Sequence, residues 1–258
     1  MSMRRFPLSD AQDLHEALGL RGASGLRKVR QLEYLLPWLL DEAGCFENRP
    51  LVEFACGKGY VSFAFRYAAL QLGMADIPII GLDSSDSMVA HCEAIRDRLG
   101  WSNIHFVVVK KGQVLADLPS PHAVVSLHAC DWATDQAIAT GISLNARLLL
   151  HVPCCHSTTQ RTLRVAGHRH SLGYICRSFP ILGEALSKLL TEGIRCTQMR
   201  TFGYDTAIRE FVTPLATPKN LLIVGRLGGK HNKRAARESA SLCEEYRIPL
   251  LITEMLNR

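Results

Sequence analysis

The sequence predicts an α/β fold: a doubly wound, mostly parallel sheet of seven strands with helices on both faces. Three observations predict it. From Pro50 onward, apolar strand-like runs alternate with helical stretches. Those runs are almost continuously apolar, as strands buried on both faces must be. A late pair of runs is joined by a short irregular link, which suits an antiparallel edge. The chain of 258 residues, 47% of them apolar, can bury a sizeable core.

The elements follow in order. Residues 10–43 read as helices: Ser9 or Asp10 can cap the first, and Leu32, Leu35, Leu36, Leu39 and Leu40 recur at helical spacing in the second. Pro37 inside that run predicts a kink, or a boundary one turn earlier. Leu51–Ala55 is a short buried strand, followed by Gly57, Gly59 and a helix to about Leu72. Pro78–Leu82 is the next strand, ending at Asp83, and Ser84–Leu99 is helical. Ile104–Val109, Ala123–Leu127 and Arg147–Val152 are the third, fourth and fifth strands, with a short helix over Asp131–Thr140 before the last of them. Residues 156–179 lack periodicity and are rich in Arg, His, Ser and Gly, which predicts a substrate loop or lid. Ile181–Glu192 reads as a helix stopped by Gly193, Arg195–Phe202 as the sixth strand, and Leu221–Leu227 as the seventh. A helical run then extends to about Tyr246, and 248–258 carries no assignable pattern. With right-handed crossovers the arrangement is Rossmann-like. The chain divides into an N-terminal helical extension (1–46), the sheet domain (47–228) and a basic helical tail (229–258).

No apolar run approaches the ~20 residues that span a bilayer. Asp10, Asp13 and Glu16 fall where a signal peptide would be apolar. Of the nine cysteines only Cys154 and Cys155 are adjacent, the others are scattered, and none forms a CxxC pair, consistent with reduced thiols. The expectation is a soluble cytoplasmic protein with no membrane partner. A net charge of +6 is unevenly spread. Arg21, Arg27, Lys28 and Arg30 cluster early, and Arg161, Arg164, Arg169 and Arg177 lie in a stretch free of acids. Lys230, Lys233, Arg234 and Arg237 open the tail. Such patches attract polyanions or are simply solvated faces.

Chemistry concentrates at the carboxyl ends of the strands, where such sheets hold ligands. Glu53-Phe-Ala-Cys-Gly57-Lys-Gly59 puts an acid at the end of the first strand and a Gly-x-Gly turn before a helix. Without a Cβ, that turn lets a ligand approach the backbone. The third glycine of a dinucleotide fingerprint is replaced by Ser62, which counts against NAD. Asp83, ending the second strand, can accept both hydroxyls of a ribose, or cap the following helix in place of Ser84 or Ser85. Together the two elements predict a nucleoside cofactor, and S-adenosylmethionine is favoured. Two more segments end strands four and five: Leu127-His-Ala-Cys130-Asp131-Trp-Ala-Thr-Asp135 and His151-Val-Pro-Cys154-Cys155-His156. Their cysteines and histidines suit metal binding, an activated thiolate or base, or simple packing beneath the cofactor.

The strings LHACDWATDQAI and VPCCH, with the later Thr217-Pro-Lys-Asn-Leu-Leu-Ile223, resemble one group of methyltransferases. That group includes the methyltransferase-like proteins and the glutathione-S-transferase-C-terminal-domain-containing protein. A more distant similarity is to tRNA 2′-O-methylating enzymes. The resemblance spans about Lys28 to Leu227, and Glu53-x-x-x-Gly57-Lys58-Gly59 matches the group's cofactor loop. It implies a class I methyltransferase fold without fixing a substrate. Asp131-Trp132 departs from the group's usual Gly or Asp-Thr after the cysteine.

On this reading Glu53 holds the methionine amine indirectly, and Ala55, Cys56, Gly57 and Gly59 admit its chain. Asp83 binds ribose, Ser84, Met88 and Gln113 surround adenine, and Leu127 and His128 close the cofactor site. The acceptor side falls to His128, Asp131, Cys154 and His156, with either histidine as base. No metal is assigned. RNA, ribosomal or transfer, is the leading acceptor, with Lys28, Arg30, Arg161, Arg164 and Arg169 as contacts. The alternatives are a small-molecule or protein acceptor, or a non-catalytic binding module.

Overall fold

The computed structural model describes residues 4–8, 10–42, 45–74, 76–166, 172–249 and 251–257. Two helices, α1 (Gln12–Ala17) and α2 (Gly22–Leu40), precede β1 (Leu51–Phe54), α3 (Tyr60–Gln71), β2 (Ile79–Asp83), α4 (Asp86–Leu99) and β3 (Ile104–Val108). β4 (Ala123–Leu127), α5 (Trp132–Ser143), β5 (Leu148–Val152), α6 (Ser157–Ala166) and α7 (Gly173–Ser178) follow. The chain continues with α8 (Pro180–Thr201), β6 (Tyr204–Glu210), β7 (Leu221–Leu227), α9 (Lys233–Tyr246) and α10 (Leu251–Leu256).

The sheet has seven strands in the order β3-β2-β1-β4-β5-β7-β6. β1 to β5 pair in parallel, and β7 inserts antiparallel between β5 and β6, with Leu148 opposite Arg226 and Tyr204 opposite Leu227. The order reverses between β1 and β4. That switch point opens the crevice at the carboxyl ends of the strands. One core fills the face covered by α2, α3 and α4; α5, α8 and α10 cover the other. Leu32, Leu35, Leu36 and Leu39 belong to the first core, so α2 packs into the sheet domain.

Four expectations need correction, in whole or in part. Of the two alternatives at Pro37, the boundary one turn earlier is not found, because α2 runs through Pro37 to Leu40. The carbonyl left without a donor by the missing N–H of Pro37 is that of Glu33, and it accepts instead from Phe6 N at 2.9 Å. The interval expected as an irregular substrate loop or lid carries α6 and α7 among its described residues, and 167–171 lie outside them. The sixth strand is Tyr204–Glu210, and Arg195–Phe202 is the last part of α8. Gly193 does not stop that helix because Arg195 anchors it. The side chain is 1% exposed and donates to both carboxylate oxygens of Asp135 on α5, at 3.0 and 2.7 Å. Asp10 does not cap α1, which lacks any side-chain cap; Ser9 lies outside the described residues, as does Arg169.

Candidate functional site

The loop from β1 to α3 turns through three left-handed residues, Ala55 (φ 54°), Gly57 (φ 53°) and Gly59 (φ 68°). The two glycines serve different ends. A Cβ on Gly59 would lie 2.8 Å from Phe63 Cε2, so this glycine allows close packing inside the protein. A Cβ on Gly57 would meet nothing within 4 Å, so this glycine leaves its approach open to a ligand. Cys56 is buried, with its N–H donating to Leu82 O at 2.9 Å, and serves the core.

Asp83 is held between that loop and the start of α4. Its Oδ2 accepts from Gly57 N at 2.8 Å and its Oδ1 from Ser85 N at 3.0 Å. Each carboxylate oxygen keeps a further lone pair. Asp83 lines a cavity of about 330 Å³, together with Phe54, Ala55, Ser84, Val109 and Trp132. Such a volume lies within the rough range of 300–1,000 Å³ for small-molecule sites. An acid with spare acceptor capacity, an apolar wall and an aromatic ring fit a nucleoside, and the open approach at Gly57 fits a chain leading from it.

Other predicted residues lie elsewhere. Glu53 is 3% exposed and faces α3: its oxygens accept from Val61 N, Ser62 N and Ser62 Oγ at 3.2, 2.8 and 2.6 Å. It satisfies backbone donors at the N-terminus of α3 and acts on the glycine loop from beneath. Burial pushes its carboxyl up to about 7 against the pull of those hydrogen bonds. Gln113 folds back, its Oε1 accepting from Lys110 N at 3.3 Å. Gln136 is the amide that lines the cavity, and its Nε2 donates to Lys110 O and Gln113 O at 2.9 and 2.8 Å. Met88 lies one turn into α4, its N–H 3.4 Å from Ser85 Oγ, away from the cavity lining. Gln136, Val109, Trp132, Lys110 and Lys111 are lining residues that sequence reasoning missed. A glutamine on the inner face of α5 carried the only usable signal among them.

The loops after β4 and β5 leave the sheet side by side, because Leu127 and Val152 are register partners. His128 has φ 68°, which turns its ring towards α2, where its Nε2 lies 2.8 Å from Gln31 Oε1. Lys28 Nζ donates to that same oxygen at 3.4 Å, so the oxygen is the acceptor and Nε2 carries the proton. The other nitrogen, Nδ1, is buried without a partner. Burial, with Lys28 and Lys219 nearby, lowers this histidine to about 4, which keeps it neutral at pH 7. Lys28 is half-buried, 5.3 Å over the Tyr60 ring, and burial lowers its ammonium while Glu53 and Cys154 oppose that shift. It is therefore part of the site interior.

Asp131 and His156 are tied into the scaffold. The Asp131 carboxylate accepts from Ser157 Oγ (2.7 Å), Thr158 N (3.1 Å) and Thr158 Oγ1 (2.7 Å) at the start of α6. His156 Nε2 pairs with Glu192, which also meets Arg195. Burial works against the Arg195 charge, but Asp135 and Glu192 outweigh it and hold the guanidinium protonated. Of the two candidate bases, His156 is tied to Glu192 through Nε2, whereas His128 keeps a buried Nδ1 without a partner. Cys154 Sγ is 2.8 Å from Cys130 Sγ and 3.4 Å from Cys155 Sγ. Burial first, and the neighbouring thiols next, push Cys154 far above the usual thiol range, which disfavours a free thiolate.

Residues 26–162 match the model of a family described as a methyltransferase domain. No curated protein sequence matches the chain. Among solved structures, the chain is similar to the S-adenosylhomocysteine-bound methyltransferase PaMTH1 of Podospora anserina. The TM-score is 0.53 at 13% identity, over 87% of this chain and 89% of that one, which supports the fold. A magnesium protoporphyrin IX methyltransferase from Synechocystis PCC 6803 aligns at TM-score 0.45 and 15% identity, over 84% and 93%.

Proposed function

The chain belongs to the methyltransferase-domain family, and from that premise we propose that this S-adenosylmethionine-dependent methyltransferase acts on RNA, ribosomal or transfer. The bound cofactor supplies an electrophilic methyl group on a sulfonium. Asp83 accepts the ribose hydroxyls while its bonds to Gly57 N and Ser85 N fix its orientation. Trp132 and Val109 flank the base, and Gly57 leaves room for the methionine chain. Glu53 holds the glycine loop in shape from the α3 side. The unpartnered Nδ1 of neutral His128 can take the proton of the acceptor group. Most of the rate then comes from alignment, because methyl transfer needs the nucleophile in line with the methyl. The ordered strings at 127–138 and 152–156 support a place within the group of methyltransferase-like proteins and the glutathione-S-transferase-C-terminal-domain-containing protein.

One observation carries the choice of RNA. The loop bearing Cys154 to His156 leads directly into α6 and α7, where arginines and, at Tyr174 and the following Phe179, aromatic rings are exposed beside Val165 and two serines. Arg161 and Arg164 on α6, and Arg177 on α7, are exposed. Tyr174 is 65% exposed and Phe179 52%. Arginines neutralise phosphates, and exposed rings stack on bases at about 1–3 kcal/mol each. The test is incubation of the purified chain with methyl-labelled S-adenosylmethionine and, in parallel, total RNA, protein extract and metabolite extract. Label is expected in RNA, with binding that falls steeply as salt rises. Label in protein or metabolites alone, or salt-independent RNA affinity, overturns the RNA assignment and leaves family membership untouched.

A further inference from the structure

Three cysteine sulfurs converge where the β4 and β5 loops meet. The separations are 2.8 Å for Cys130–Cys154, 3.4 Å for Cys154–Cys155 and 3.6 Å for Cys155–Cys130. All three sulfurs lie within 4.8 Å of one another. Cys130 is exposed and the other two half-buried, so these thiols do not fill a core. Cys176 and Cys243, by contrast, are buried in an apolar cluster. His128 (φ 68°) and Asp131 (φ 51°), both non-glycine residues in left-handed conformations, flank Cys130 on the β4 loop. Two cations stand nearby: Lys28 acts on Cys154 and Lys219 on Cys130.

We propose that Cys130, Cys154 and Cys155 bind a single Zn²⁺ as three thiolates. Zn–S bonds are about 2.3 Å long, so an ion equidistant from this triangle sits off its plane with a fourth position free. Among the described residues, no fourth cysteine, histidine or carboxylate joins the group. Structural zinc sites are closed by four protein ligands, whereas three ligands and an open position are the pattern of reactive zinc. Binding converts three thiols and Zn²⁺ into a zinc tris-thiolate of charge −1 and releases three protons. Lys28 and Lys219 offset that charge. Cys130 also lines the nucleoside cavity, so the free position belongs to the same crevice as the cofactor. There it would take water or a nitrogen or sulfur donor. This departs from the sequence expectation, which assigned no metal.

The experiment uses the full chain prepared under reductant, loaded with Zn²⁺ and passed over a desalting column before elemental analysis. About one equivalent of zinc is expected to remain. The Cys130→Ser and Cys154→Ser variants should retain about a tenth of that or less, and Cys176→Ser should match the wild type. Substitution of the wild type with Co²⁺ should give strong thiolate-to-cobalt absorption in the near ultraviolet, a readout that survives even if a serine variant misfolds. Zinc-free wild type with no cobalt–thiolate absorption overturns the proposal. Equal zinc in the serine variants, or a Cys130–Cys154 disulfide in place of metal, overturns it as well. Neither readout depends on methyl transfer, so failure here is distinguishable from failure of the enzymatic assignment.

Discussion

At the scale of single residues, the two glycines of the β1–α3 loop separate folding from binding. Gly59 is packed and Gly57 is open, although both have positive φ. Alanine at either position carries a left-handed penalty of about 1–2 kcal/mol. At Gly59 the added methyl also collides with the Phe63 ring, so Gly59→Ala should lower the melting temperature more than Gly57→Ala. Cofactor affinity, measured by calorimetry, should fall about tenfold or more in Gly57→Ala, because the methyl stands where the ligand approaches. His151 gives a second test. It is fully buried on β5, its Nδ1 2.8 Å from Ser126 Oγ, and burial lowers it to about 3. A histidine depressed in the folded state contributes stability above its unfolded pKa of about 6.5. That stability is lost as pH falls from there towards 3. Denaturant titrations should therefore show stability declining by a few kcal/mol across this window, with a shallower slope in His151→Gln. At this scale the sequence revealed residue types but not their orientation. Asp83 lines the cavity, whereas Glu53 points into α3 and Gln113 folds onto its own loop. A carboxylate at a strand end can serve ligand or helix, and only the packing of α3 decides.

At the scale of elements, buried strands were legible because their apolar runs are short and bounded: β1, β2, β4 and β5 begin and end within a residue of where periodicity puts them. Two of the failures share one cause, which is tertiary contact overriding a local breaker. Pro37 does not end α2, since Phe6 N–H satisfies the Glu33 carbonyl it leaves unpaired. Gly193 does not end α8, since Arg195 locks the following turns to Asp135 and Glu192. A glycine in mid-helix weakens it by about 0.5–1 kcal/mol relative to alanine. At Gly193 a Cβ would meet nothing within 4 Å, and φ is not positive. Gly193→Ala should consequently stabilise the protein by roughly that amount in chemical denaturation. A change of the opposite sign would mean that α8 does not pass through this point as an unbroken helix. The edge strand β6 was missed because Tyr204–Glu210 is mostly polar and part-exposed, without the continuous apolar run of the central strands.

At the scale of the molecule, the strand order places the candidate cofactor and acceptor groups on one edge. The glycine loop, Asp83, His128 and the three cysteines all follow the carboxyl ends of β1, β2, β4 and β5. Helix α2, outside the sheet, completes the edge by bringing Gln31 and Lys28 over His128. No helix among the described residues is long and apolar enough to cross a membrane. Helices α6 and α7, with Arg161, Arg164 and Arg177 exposed, follow β5 in the chain.

Methyl transfer by this chain requires a sulfonium nucleoside to bind where Asp83 meets the open glycine. Titration calorimetry of S-adenosylhomocysteine into the wild type and into Asp83→Ala tests this most directly. A carboxylate that accepts two hydroxyls is worth about 1.5–3 kcal/mol per charged hydrogen bond. The expected result is one binding site in the wild type and at least a tenfold loss of affinity in a variant whose circular dichroism is unchanged. Absence of heat in both proteins, or equal affinity in the two, would contradict it.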